Sequence, residues 1–176
     1  METSAEVYEW TRDFLNTKNP LVSSCHHDHK QEIDLYNKPF EAKIEAAQYF
    51  RNKGNELYKT NDFKNAAATY TKGLLQLDYT FPKTDQEIEI FDKLRGELNA
   101  NAAMTAIKME SYQSALHHCN QVLCDNPNNV KVLYRKGIAL SKLNRQKEAK
   151  EILTNALKID PENSAIRHTL SGLNKF

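Results

Sequence analysis

The second half of this chain matches its own sequence at a shift of 34 residues: Ala103 falls on Gly137, Ala115 on Ala149 and Pro127 on Pro161. A third copy lies upstream in "YFRNKGNELYKTNDFKNAAATYTKGLLQLD", with Gly54 in the place of Gly137 and Ala66 in that of Ala149. Ala66 and Ala115 are 49 residues apart, one period plus 15, and the surplus falls in "DYTFPKTDQEIEIFDKLRG". A repeat of this length cannot bury an apolar face alone, so copies must stack on one another and share a continuous core.

Residue sizes within the repeat say how each unit is built. Small residues at Gly54, Ala103 and Gly137 let one helix approach its partner, and Ala66, Ala115 and Ala149 give the partner a flat spot. Phe50, Leu57, Phe63, Tyr70, Leu133, Leu140, Leu153 and Ile159 are expected to fill the space around them. Apolar periodicity and turn residues predict helices over 39–60, 62–77, 85–108, 111–124, 129–142 and 145–158. Thr84 and Glu87 have capping-box spacing at the start of the third. Ile166, Leu170 and Leu173 recur at helical spacing and predict a terminal capping helix over about 162–175. The fold class is therefore all-α: a right-handed α-solenoid of three helix pairs (about 47–78, 96–129 and 130–163) within 39–176, preceded by an extension over 1–38. In that extension Val7, Trp10 and Phe14 form one stripe, which predicts a short helix covering apolar surface at the first repeat; Asn19-Pro20 ends it, and a loop is expected after it. The stretch from Tyr79 to Lys83 is expected to be a permissive loop.

The 176 residues carry 24 Lys plus Arg against 23 Asp plus Glu, a net charge of +1, so nothing global calls for nucleic acid or a membrane surface. Recognition by charge has to be local. Three cysteines without a CxxC pair, and no signal peptide or apolar run of spanning length, suit the reducing cytosol. Catalytic signatures are missing as well: there is no phosphate-cradling glycine loop, no GxSxG and no HExxH, which points to a non-catalytic binding module without a cofactor.

Local charge gathers on the first helices of the pairs, which line the concave surface of a stacked solenoid. Lys131 and Arg135 stand four apart in "KVLYR" and share a face. Arg51 and Asn55 are spaced alike in "RNKGN", and Asn101 lies between them and the basic pair in "NAAM". Three cations and two carboxamides converging from three helices suit a pair of carboxylates, which the last Asp of a peptide supplies through its side chain and its free C-terminus. Both Lys131 and Arg135 are expected to point into a wet groove.

With its 34-residue period and its small, small and Pro positions, the chain resembles the tetratricopeptide-repeat family over roughly 40–176. The five polar residues resemble that family's two-carboxylate clamp in co-chaperones, whose pattern is Lys-x-x-x-Asn, then Asn, then Lys-x-x-x-Arg; Arg51 replaces the first Lys. The resemblance implies a partner, the Met-Glu-Glu-Val-Asp tail of heat-shock protein 90 or the related tail of heat-shock protein 70; the alternative is a scaffold whose groove receives an internal helix or extended segment, the chain's own N-terminal segment included, so that free C-termini do not matter. The insert after the first repeat and "HCNQVLCDNPNNVKVLYRKGIAL" further resemble the C-terminal domain of large FK-binding immunophilins, whose peptidyl-prolyl isomerase domain precedes the repeats. The 40 or so residues before the first repeat are too few for such a domain.

Other features read as structure. "CHHDH" (25–29) has zinc-ligating residue types, but adjacent ligands seldom wrap one ion and no second pair stands at a suitable spacing. His117 and His118 are expected to be exposed or half-packed, and Cys119 to be a small core residue.

Overall fold

The computed structural model describes residues 30–173, which hold eight helices and no strand. They are α1 (Lys30–Asn37), α2 (Phe40–Lys59), α3 (Phe63–Asp78), α4 (Asp85–Lys108), α5 (Tyr112–Asp125), α6 (Val130–Lys142), α7 (Gln146–Ile159) and α8 (Ser164–Leu173). The pairs α2–α3, α4–α5 and α6–α7 are the three repeats. Each second helix packs on its partner and on the first helix that follows, and the first helices α2, α4, α6 and α8 also pack on one another in sequence. That unbroken row of first helices is the inner surface of the solenoid. Both the Val7–Trp10–Phe14 stripe and "CHHDH" lie outside the described residues.

Close approach within each pair follows from the small positions. A Cβ built on Gly54 would lie 2.5 Å from the Tyr70 ring, and one on Gly137 2.5 Å from Leu153. Tyr70 and Leu153 sit four residues beyond Ala66 and Ala149, so the large residue one turn past each alanine lies against the glycine. In the second repeat Ala103 has a Cβ of its own, and its counterpart is the smaller Cys119, fully buried beside it. Volume lost on one helix is recovered on the other, as native packing density requires.

The turn inside each repeat is also periodic. Asn61, Glu110 and Asn144 have φ of 61°, 58° and 60°. The next amide in each case reaches back to a carbonyl five residues earlier: Asp62 to Leu57 at 2.9 Å, Ser111 to Ala106 at 2.8 Å and Arg145 to Leu140 at 2.9 Å. This is the Schellman closure of α2, α4 and α6, which needs one left-handed residue. Helix starts are fixed by side chains: Asp62, Asn129 and Asn163 accept from the Asn65, Val132 and Ile166 amides, and Thr84 and Glu87 form the expected reciprocal box. At the far end, Ile166 is fully buried among Leu133, Leu153 and Ala156, with Leu170 and Leu173 packed against the same cluster, so α8 is the cap that the periodicity predicts.

Outside the inner groove, the structure departs from the sequence reading at three places. Ile159, expected in the core, is 45% exposed, because the buried stripe of α7 runs through Ala149, Leu153 and Ala156 and position 159 falls off it. The polar stretch expected to be loop is helical from Lys30 to Asn37, and it buries Leu35. The segment from Tyr79 to Lys83 is tied down: Lys43, 5% exposed, donates to the carbonyls of Tyr36 and Tyr79, Thr80 is buried on the Gln76 carbonyl at 2.8 Å, and Phe81 meets the Tyr36 ring edge-on at 5.9 Å. A buried ammonium requires acceptors, and the turn supplies one of them.

Two stability changes are expected. Gly54→Ala should lower stability by roughly 1–3 kcal/mol, because the Tyr70 ring is stiff and wedged. Glu110→Asn should raise it by about 1 kcal/mol or less, since glutamate tolerates the left-handed region less well than asparagine. Denaturant midpoints check both; an unchanged midpoint for Gly54→Ala would mean the ring swings aside freely.

Candidate functional site

The five residues expected to act together all lie on the row of first helices: Arg51 and Asn55 on α2, Asn101 on α4, Lys131 and Arg135 on α6. The structure joins some of them directly. Asn55 Oδ1 accepts from Asn101 Nδ2 at 2.9 Å and from the Tyr70 hydroxyl at 2.8 Å. With its oxygen held by two donors, Asn55 has its amide N–H groups left for another acceptor. Burial raises the Tyr70 hydroxyl to about 12, with Tyr58 adding to the shift, so it stays protonated and donating.

Arg135 is not in a wet groove. It is only 7% exposed, and its Nη1 donates to the Ala100 carbonyl at 2.7 Å, bridging α6 to the residue before Asn101. Burial lowers its pKa, while Cys119 and Tyr58 pull the other way. Among the described residues no carboxylate pairs with this guanidinium, and one backbone carbonyl does not occupy its five N–H donors. One turn earlier Lys131 is exposed and has no hydrogen bond or ion pair within the described residues. The arginine is a buried cation held against α4, and the lysine an exposed one a turn away.

Arg51 is engaged. Its Nη1 pairs with Glu97 on α4, and its Nη2 donates to Asn52 Oδ1 at 3.1 Å. Sequence reasoning missed Glu97 and the hydrogen bond of Tyr70 to Asn55. For Glu97 a signal existed: it lies one period before Lys131, as Asn101 lies one period before Arg135, so the repeat register alone places it on the inner face. In the sequence Tyr70 reads only as core filler, since nothing in a single sequence tells which buried tyrosine carries its hydroxyl to a groove asparagine.

Outside the groove, Cys119 is fully buried and its thiol is pushed up to about 11 by burial, Arg135 and Lys136 opposing, which fits a core role. His117 is exposed; His118 is half-buried with Nδ1 2.9 Å from Asn99 Oδ1. Because Asn99 Nδ2 donates to the Arg95 carbonyl, Asn99 Oδ1 is the acceptor and His118 Nδ1 carries the hydrogen. Burial, helped by His117, lowers His118 to about 4 from 6.5. Once unfolded, His118 takes up a proton near its ordinary value, while the folded chain refuses it down to about 4. Stability is therefore intact above pH 6.5 and drains away as pH falls toward 4. His118→Gln keeps a donor for Asn99 and removes the titration, so its melting temperature relative to wild type should be lowest at pH 7 and recover toward pH 5; a constant difference would contradict the assignment.

The family described as "Tetratricopeptide repeat" matches residues 106–173. The chain is 38% identical over 133 residues to the Hsp70/Hsp90 co-chaperone CNS1 of Saccharomyces cerevisiae, across 74% of this chain and 31% of that protein. Among solved structures, it resembles the C-terminal TPR-containing domain of a Plasmodium falciparum protein named for binding FK506, at 30% identity and a TM-score of 0.75, covering 80% of this chain and 94% of that one. It also resembles the myosin chaperone UNC-45 of C. elegans, solved with a Hsp90 peptide, at 26% identity and a TM-score of 0.62, covering 73% of this chain and 13% of that one. The chain spans less than half the length of the curated relatives it matches.

Proposed function

The chain belongs to the tetratricopeptide-repeat family, and we infer that it is a non-catalytic co-chaperone adaptor whose inner face binds the C-terminal acidic tail of heat-shock protein 90 or 70. The observation that carries this reading is Arg135. A guanidinium 7% exposed, with no carboxylate partner among the described residues, is costly unless a ligand supplies the anion. Around it stand groups fit for two carboxylates. Asn55 keeps its amide N–H groups, and Asn101 the N–H it does not spend on Asn55, for a ligand acceptor, and Lys131 adds an exposed cation. A peptide ending in Asp brings both carboxylates on one residue. The yeast relative, a Hsp70/Hsp90 co-chaperone, and the nematode structure, a complex with a Hsp90 peptide, support the same partner.

Within this reading the chain acts by binding in the cytosol. No helix among the described residues is long and apolar enough to cross a membrane. An Arabidopsis thaliana relative is named as a peptidyl-prolyl cis-trans isomerase, but the shared region is 31% identical over 126 residues and covers only 20% of that protein, so its activity is not carried over to this chain.

Lys131 is the cleanest probe, because Arg135 also braces α6 against α4 and its removal costs stability as well as affinity. A charge-assisted hydrogen bond is worth roughly 1.5–3 kcal/mol, so Lys131→Ala should weaken Met-Glu-Glu-Val-Asp about tenfold to a hundredfold with the melting temperature unchanged. Amidating the peptide's C-terminus should cost about as much. Lys147→Ala, exposed on α7, should do nothing. Calorimetric titration decides: equal affinity for acid and amide, with no loss in Lys131→Ala, would overturn the reading.

A further inference from the structure

Two contacts tie α2 to α4, one helical turn apart. Asn55 meets Asn101, and Arg51 meets Glu97, each pair separated by 46 residues along the chain. The first contact joins two donors for a carboxylate ligand. The second places a carboxylate already present in the protein on one of the ligand's three cations. Glu97 occupies the position in its repeat that Lys131 occupies in the next, so an acid and a base leave the inner face at equivalent points of adjacent helices. The Arg51 and Glu97 side chains are 28% and 39% exposed, so water and solutes reach the pair. Exposed pairs are weak, and their partners exchange readily.

We propose that Glu97 is an internal counter-anion of the groove, which holds Arg51 while the groove is empty and yields it only to a ligand carboxylate. This rests on the carboxylate-binding reading above and deepens it by one residue. Glu97 acts against binding in two ways. It competes for Arg51, and its own charge repels an anionic peptide end, so it sets affinity below what the five clamp residues alone would give. The Arg51 fork suits such an exchange, because Nη2 remains anchored on Asn52 while Nη1 changes partner.

The test is a double-mutant cycle with Met-Glu-Glu-Val-Asp as acid and as amide, titrated into wild type, Glu97→Gln, Arg51→Ala and the double variant. Glu97→Gln should bind the acid about threefold to tenfold more tightly. Arg51→Ala should cost several-fold more affinity in the Glu97→Gln background than in wild type, since there the arginine has no internal partner to give up. Glu97→Ala, read the same way, guards against a new amide hydrogen bond, and melting temperatures confirm that each variant is folded. If Glu97→Gln and Glu97→Ala bind no tighter, and Arg51→Ala costs the same in both backgrounds, the pair is an ordinary surface contact and the proposal fails. In that event, continued preference for acid over amide in wild type leaves the carboxylate reading standing. Equal binding of acid and amide in every variant removes both.

Discussion

Tyr70 lies against a glycine, and from that contact both the first repeat and the floor of its groove take their geometry. Only a residue without a side chain admits the ring at position 54, and the ring so placed brings its hydroxyl to Asn55 on the same helix as the glycine. Asn55 then meets Asn101. A steric condition between α2 and α3 thus becomes a hydrogen-bond condition between α2 and α4. Tyr70 is fixed by packing and Asn55 by two accepted bonds, the kind of support that holds a binding constellation in place before a ligand arrives. Equivalent contacts in the other repeats, Ala103 with Cys119 and Gly137 with Leu153, carry no hydroxyl and only pack. The second and third repeats serve the groove from their first helices alone.

Much of this is legible in the sequence because a repeat states its own register. Six helices, the cap and the Thr84 box follow from a period, a few small residues and cap spacing, all of which are local or recur. What is not legible depends on contacts between segments that do not recur. Lys43 holding the carbonyls of Tyr36 and Tyr79 is such a contact: it makes α1 and the 79–83 segment part of the fold, and no periodic signal announces it. The register places Arg135 on the inner face, as found, but says nothing of its depth; its burial comes from reaching the Ala100 carbonyl, a long side chain folding onto the neighbouring repeat.

Burial divides the work of the two α6 cations. Arg135 is buried and bonded to the Ala100 carbonyl, so under the proposed function a carboxylate would meet a cation that needs little further ordering. Lys131, exposed and without a partner among the described residues, would under the proposed function add attraction from the rim. Along α6 the residue nearer the helix start is exposed, and the one a turn later sits against α4. Arginine suits the buried place because it holds its charge there and spreads it over several donors, so that one can bind a backbone carbonyl while others stay available.

Under the counter-anion proposal the same property suits the arginine at position 51, where the clamp pattern it resembles has lysine. A lysine opposite Glu97 would be a single point charge, and pairing with the glutamate would commit it. A guanidinium has two arms; here one holds Glu97 and the other Asn52. With an acid at 97, an arginine at 51 can keep its position in the groove while one arm changes partner. If Glu97 is the groove's counter-anion, the two residues are linked: the acid on α4 makes the arginine on α2 the better cation, and the arginine lets the groove tolerate the acid.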